Sequence, residues 1–443
     1  MVKKINDVKI PQINLEIKQE NLTSNGGAGV LFNSIFRKLG FEKNLKRISV
    51  KKRNRGYSDK CYLMSIIGNF FSGGFGLNTL DVLESDESFR NIIGLKQVPD
   101  PSSVGEYLRC FSKKSLDVLN KELVKISKTI LNSLKKNTYT YNNWLYGFID
   151  GSLLETSDGR EGTETKDRNG NRSLLFMPFY LDEFLANVRL VGGNEHESKF
   201  VQDLLEPYSG FLKNHKFHLF LDSAFYGKGV VEECLDMKGY YYTITVNTAT
   251  EGLETMAGEL PKTSWEKIDE RKYFGGEYES VEISDLKYWP QTWGCEHRYV
   301  AARCKKKNDF FAFYHFVLTN RDDLSGEEVL ELHKIKSGEE NNHKNLLCDM
   351  NLHHPPMQKL SANNVYYHLA AIAHNIMHGA KKLILPVKYL SSRTRTLIHK
   401  VMKIPAKVIK HSGKVIVWLE EKLLCGELLE MFRRFYEWYP LLR

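Results

Sequence analysis

The hydrophobic rhythm of this 443-residue chain changes twice along its length. Between residues 28 and 135, apolar positions recur every three or four residues. The blocks 28–39, 58–71, 78–84, 103–111 and 115–134 are separated by glycine and proline, which predicts a set of helices. Ser103, with Glu106 three residues on, has the form of a capping box and predicts a helix start there. After residue 139 the blocks shorten. The run from Trp144 to Asp150 is apolar and aromatic and closes on an acid, the pattern of a buried strand. Two strand-like runs, 173–181 and 184–191, follow, joined by Asp182-Glu183 as a hairpin connection. Residues 195–212 read as helix, 217–222 as a second buried strand ending in an acid, 229–237 as helix and 240–246 as strand.

The second change comes near residue 250. As far as 312, short segments bearing Trp265, Tyr273, Tyr278, Tyr288, Trp289, Trp293 and Tyr299 alternate with polar residues, which predicts a β-rich insertion. Residues 310–318 return to a core-like strand, 325–349 and 362–382 read as long helices, and 415–419 is strand-like. The expected fold class is α/β, a mixed sheet flanked by helices. The expected domains are a helical N-terminal DNA-binding domain over 1–136, a catalytic domain over 137–383 containing the insertion, and a basic C-terminal region over 384–443.

Composition narrows the functional classes. No apolar run approaches the ~20 residues that cross a bilayer, and no apolar stretch follows the first lysines, so no membrane role and a cytoplasmic location are expected. The seven cysteines show no Cys-x-x-Cys spacing, which leaves buried reduced thiols as the expectation. The 63 basic residues exceed the 54 acidic ones, for a net charge of +9. The excess is concentrated: Lys43, Lys46, Arg47, Lys51, Lys52, Arg53 and Arg55 crowd one segment. A second stretch runs from Lys381 and Lys382 through Lys388, Arg393, Arg395, Lys400, Lys403, Lys407 and Lys410 to Lys414 without an acid. Each could be a solvated surface; together they favour a polyanionic partner. His353-His354 is expected in a loop, and His368, His374 and His378 in helix packing.

Three acids stand out. Asp150 and Asp222 each end an apolar strand, where a carboxylate is costly unless it is liganded or hydrogen-bonded. Glu340 lies four residues after Lys336 and four before Lys344, with His333 one turn earlier, so one helix face would carry all four. Strand-end acids also cap loops, and an exposed Glu–Lys ladder has the same period; both readings stay open on the residues alone. A carboxylate cluster on rigid elements is what two-metal phosphoryl transfer needs.

The segments Phe148-Ile-Asp150-Gly-Ser, Leu221-Asp222-Ser-Ala-Phe-Tyr and His333-x2-Lys336-x3-Glu340-x3-Lys344 resemble the DDE motifs of the IS4-like superfamily of bacterial insertion-sequence transposases. Within it the IS1380 family is the most similar. The likeness extends to Leu22-Thr-Ser-Asn-Gly-Gly, Leu80-Asp-Val-Leu-Glu-Ser-Asp86 and Met402-Lys-Ile-Pro-Ala. His333 stands where the signature has tyrosine, Lys336 where it has arginine, and Lys344 nearer the glutamate than the signature lysine.

The resemblance implies an RNase H-like core holding Mg²⁺ (or Mn²⁺) through Asp150, Asp222 and Glu340. Lys336 and Lys344, with His333, would face DNA phosphates, and Lys51, Lys52, Arg53 and Arg55 would contact duplex DNA, both terminal inverted repeats and target. It also implies a homodimer in the DNA complex and association with the bacterial nucleoid when bound. The aromatics of the insertion become candidates for stacking on an unpaired base. A catalytically inactive DNA-binding relative and a nuclease that cuts without joining remain as alternatives.

Overall fold

Five strands form the centre of the sheet: β1 (Trp144–Ile149), β2 (Arg172–Leu181), β3 (Phe184–Gly192), β4 (Lys216–Leu221) and β5 (Tyr241–Val246). They lie in the order β3-β2-β1-β4-β5, with β1, β4 and β5 parallel and β2 antiparallel to both its neighbours. The computed structural model describes residues 20–38, 40, 45, 47–50, 56–134, 144–156, 159–165, 171–246, 252–269, 278–307, 309–412, 414–419 and 426. Strands β1 and β4 are buried on both faces, which is why they read as continuous apolar runs rather than alternating ones. Gly147 in β1 is required by packing: a Cβ there would sit 2.6 Å from the Phe217 ring on β4.

The aromatic stretch expected as an insertion extends this same sheet. Strands β6 (Glu266–Ile268), β7 (Tyr278–Tyr288), β8 (His297–Lys306) and β9 (Phe313–Thr319) continue beyond β5 in the order β9-β8-β7-β6, each pair antiparallel. A helix, Leu253–Glu259, precedes them. Trp265 and Trp293 are largely buried, whereas Trp289 is 58% exposed.

The helices before the sheet are Gly26–Lys38, Asp59–Phe71, Leu80–Ser85, Glu87–Ile93, Pro101–Arg109 and Lys113–Leu134. The start expected at Ser103 falls three residues earlier. Asp100 is the cap, accepting from Ser103 N at 2.9 Å, and Pro101 occupies the first helical position, where a missing N–H costs nothing. The long helix Leu360–Leu383 is buried on nearly every side, between β3 and the helices Lys113–Leu134 and Asp59–Phe71. Its Asn375 meets the polar needs of that contact, accepting from Leu185 N and donating to Leu185 O and Ser127 Oγ. One hydrophobic core runs from the N-terminal helices through this helix into the sheet. The short strand Leu22–Thr23 pairs with Ala406–His411, which pairs in turn with Lys414–Leu419.

Candidate active site

Asp150 and Asp222 are neighbours because their strands are parallel and in register. Ile149 pairs with Leu221, so the next positions along the two strands are the two acids. Both chains leave the ladder there. The β1 chain resumes pairing with β2 at Ser152, and the same register carried across the gap places Asp150 opposite Pro178. Proline has no N–H to donate, so the ladder breaks at the acid. Past β4, the turn Ser223–Phe225 takes the chain away. The two carboxylates therefore stand at the open ends of adjacent strands.

The charges around them are unequal. Burial, helped by the negative charge of Asp222, raises the Asp150 carboxyl above its usual range, and Lys336 and His343 pull the other way. Burial also opposes ionisation of Asp222, but the Lys336 ammonium, 3.2 Å from Oδ1, and the Ser223 N–H bring it below its usual value. Lys336 thus serves as the cation for both carboxylates. Two adjacent, partly buried carboxylates are stabilised by such a charge.

Glu340 and Lys344 line a cavity of about 540 Å³ together with Asp150, Ser152, Lys336 and His343. Glu340 is 74% exposed at its side chain and pairs with Lys344 at 3.3 Å. His333, Lys336, Glu340 and Lys344 all line this cavity, as one face would, but the helix that carries them is not regular. The run 325–349 is Gly326–Lys334 as α-helix, Ile335–Gly338 as a 3₁₀ turn, Glu339–His343 as α-helix and Lys344–Cys348 as a π turn. A four-residue 3₁₀ turn overwinds the helix by roughly 80° relative to 3.6 residues per turn. Lys336 is thereby aimed at Asp222 while Glu340 lies at the cavity rim.

His333 is placed differently from a phosphate ligand. Its Nδ1 meets Thr243 Oγ1 and its Nε2 meets Thr245 Oγ1, both at 2.9 Å, so it fastens the helix to β5. Burial, then the charge of Lys336, push its imidazole down to about 4, so it is neutral at pH 7. His343, whose Nδ1 lies 3.2 Å from Ser152 Oγ, and Ser152 itself belong to the cavity but were not singled out by the sequence. Neither sits in a pattern that periodicity marks.

The basic stretches fare unequally. Lys51, Lys52, Arg53 and Arg55, with Lys43 and Lys46, lie outside the described residues. In the second stretch, Lys381 and Lys382 are buried against Asp182 and Glu183. Arg393 pairs with Asp349, Lys407 with Glu20 and Lys410 with Glu87. Five of the ten cations in this acid-free run are therefore paired with acids in space. The thiols also correct an expectation: of the six described cysteines, Cys234 and Cys304 are buried, Cys61 is half-buried, and Cys110, Cys295 and Cys348 are exposed.

The cavity offers the carboxylate oxygens of Asp150 and Glu340, which suit hard divalent cations, beside the imidazoles of His333 and His343 and the thiol of Cys348. That Asp150 and Asp222 are already stabilised by a cation, supplied here by Lys336, fits such an ion. Among the described residues, however, the group whose donor atoms all lie within 4.8 Å of one another is a different one: Glu232, Cys295 and His297.

Two carboxylates at the ends of adjacent parallel strands, with a third on a following helix, are what a metal-dependent DNA-processing enzyme of the DDE class displays. The sequence matches the family model for transposase DDE domain group 1 over residues 5–434, and the chain belongs to that family. DDE transposase domains use divalent metal ions. No curated protein matches the sequence.

Proposed function

We propose that this protein cuts DNA at the ends of an insertion sequence and joins them to target DNA, using Asp150, Asp222 and Glu340 as metal ligands. The observation that carries the reading is the in-register pair Asp150 and Asp222, bridged electrostatically by Lys336 at the edge of a cavity that Glu340 shares. The strand order β3-β2-β1-β4-β5, with the acids on β1 and β4, supports the RNase H-like reading. The motif spellings support membership of the IS4-like group, nearest the IS1380 family.

Bound Mg²⁺ (or Mn²⁺) supplies charge neutralisation and a more acidic attacking oxygen. The chain's own residues orient the reaction. Asp150 and Asp222 present rigid ligand oxygens, because each is fixed by the strand behind it. Glu340 completes the set from the rim: its exposed pairing with Lys344 is worth only ~0.3–0.5 kcal/mol and does not hold it there. Lys336 and Lys344 hold backbone phosphates as point charges. In the first step water attacks the phosphodiester phosphorus, one P–O bond forms and one breaks, and a 3′-hydroxyl leaves. In the second, that hydroxyl attacks a target phosphodiester in the same way, losing its proton to solvent and releasing a target 3′-hydroxyl. Two ends must be held at once, which favours a homodimer on DNA.

A duplex carrying a pre-cleaved 3′-hydroxyl end tests the joining step directly. Mg²⁺-dependent transfer into plasmid is expected; cutting of intact ends with no joining would identify a nuclease instead, and neither activity an inactive binder. Lys336 gives a second test. Without its charge the Asp222 carboxyl rises toward its usual value or above, so a smaller fraction is ionised at low pH. In Lys336→Ala the acid limb of the cleavage–pH profile is therefore expected to move to higher pH. An unchanged limb would separate Lys336 from the metal site.

A further inference from the structure

Beyond Asp222 the chain turns and forms a helix, Lys228–Val230 continuing as Val231–Asp236, from which Glu232 reaches the connection between β7 and β8. Cys295 lies near the end of that connection and His297 begins β8, two residues apart and so on the same side of an extended chain. The Glu232 carboxylate accepts from Gly294 N at 2.8 and 2.9 Å and from Cys295 N at 3.2 Å, which fixes its orientation. Its Oε1 lies 3.1 Å from His297 Nε2 and 3.6 Å from Cys295 Sγ, and Sγ lies 3.4 Å from Nε2.

Those three separations have a simple geometric meaning. For a tetrahedral zinc ion with bonds of about 2.0 Å to nitrogen and oxygen and about 2.3 Å to sulfur, the ligand atoms stand about 3.3 Å apart for N···O and about 3.5 Å for S···N and S···O. The triangle of Glu232 Oε1, His297 Nε2 and Cys295 Sγ matches one face of that tetrahedron on every edge.

We propose that Glu232, Cys295 and His297 bind one zinc ion at a site separate from the cavity lined by Asp150 and Glu340. One thiolate, one imidazole and one carboxylate form a borderline-soft set that favours zinc and disfavours magnesium. Binding releases the Cys295 proton to solvent and uses His297 as the Nδ1–H tautomer, so that Nε2 is free to ligate. Water takes the fourth position, because only Glu232, Cys295 and His297 form the group of donor atoms within 4.8 Å of one another among the described residues. The site is a staple. It joins the turn bearing Trp289 and Trp293 to the segment that follows Asp222; the Trp293 ring packs 5.0 Å from His297 and 5.2 Å from Tyr226.

The full chain, purified without chelator from zinc-supplemented cells, is expected to contain one zinc per molecule. Cobalt exchanged into it should give the charge-transfer absorption of a thiolate ligand and the visible bands of a tetrahedral ion. Cys295→Ser and His297→Ala should lose the metal, whereas Cys110→Ser and Asp222→Asn keep it. Melting curves of each variant show which have folded, and the cobalt spectrum of the unaltered chain needs no variant. Absence of zinc after both expression and reconstitution, an octahedral cobalt spectrum, or zinc retained by folded Cys295→Ser would overturn the site. Because Asp222→Asn is scored separately, failure here leaves the carboxylate reading standing.

Discussion

Asp222→Asn is expected to abolish cleavage while leaving binding to DNA ends nearly intact. Asparagine keeps the shape and one acceptor oxygen for Lys336, so the local fold has little reason to change. It removes the negative charge that a divalent cation needs as a ligand. Metal assistance is worth several kcal/mol of transition-state stabilisation, so the rate should fall by at least about 10³-fold. Binding rests on phosphate contacts with basic side chains and is insensitive to this one carboxylate. Single-turnover nicking of a labelled end duplex, beside a gel-shift titration at the same salt, reads both quantities. A variant that cuts at the normal rate would sink the assignment. The substitution also removes the repulsion that helps raise the Asp150 carboxyl, which should therefore titrate at lower pH than in the unaltered protein.

The largest effect on stability is expected away from the cavity, at Glu183. Its carboxylate sits in the β2–β3 turn against His378 Nδ1 at 2.7 Å, Lys381 Nζ and Lys382 Nζ, and the side chains of Lys381 and His378 are 3% and 0% exposed. Burial would raise the carboxyl, but His378 and the two lysines overcome it and hold Glu183 well below its usual range. His378 itself is kept neutral, by burial first and then by the nearby Lys381 charge; its Nδ1–H donates to Glu183 and Nε2 accepts from Thr394 Oγ1. Removing one member of a buried ionic group leaves the others uncompensated, at a cost of ~3–5 kcal/mol. Glu183→Ala should accordingly lower the melting temperature by roughly 3–5 °C. The sign of the pH effect follows from the depressed carboxyl. Its contribution is complete above the unfolded carboxyl value, about pH 4.5, and is lost as pH falls below it. Chemical denaturation at pH 7 and pH 4 checks this: the gap between the variant and the unaltered chain should narrow at the lower pH. The same turn reaches the helix that carries Glu340, because Asn342 Nδ2 donates to Asp182 O at 3.3 Å.

Much of the site was legible before the fold. Asp150 and Asp222 were visible because a buried strand is written as a short apolar run and its first polar residue marks the strand end. The hairpin at Asp182-Glu183 was visible for a similar reason, and it occupies the expected place, with Asp182 at positive φ. Glu340 was located by its register with Lys336, but the assumed regular helix is not what forms. A 3₁₀ turn precedes Glu340 and a π turn follows it, yet His333, Lys336, Glu340 and Lys344 still line one cavity. Helical wheels carry no information on such local winding. The capping box at Ser103 failed through competition: Asp100 with Pro101 makes a better start three residues earlier.

By itself, then, the sequence determined what is local or written as a motif. It set the types of most elements, the two strand-end acids, the order of the three acidic segments, and membership of a DDE transposase family, which the family match bears out. The tertiary structure alone decided which charges remain available. Lys381, Lys382 and Arg393 look like cations for DNA in the sequence and are spent on Asp182, Glu183 and Asp349 in the fold. It likewise decided that Pro178 opens the ladder beside Asp150, that Lys336 neutralises the acids, and that Glu232 meets Cys295 and His297. The reason is range. Hydrophobic period and turn chemistry act over a few residues along the chain. Coulomb energies, hydrogen bonds and ligand geometry depend on distance through space, and long-range strand register sets that distance.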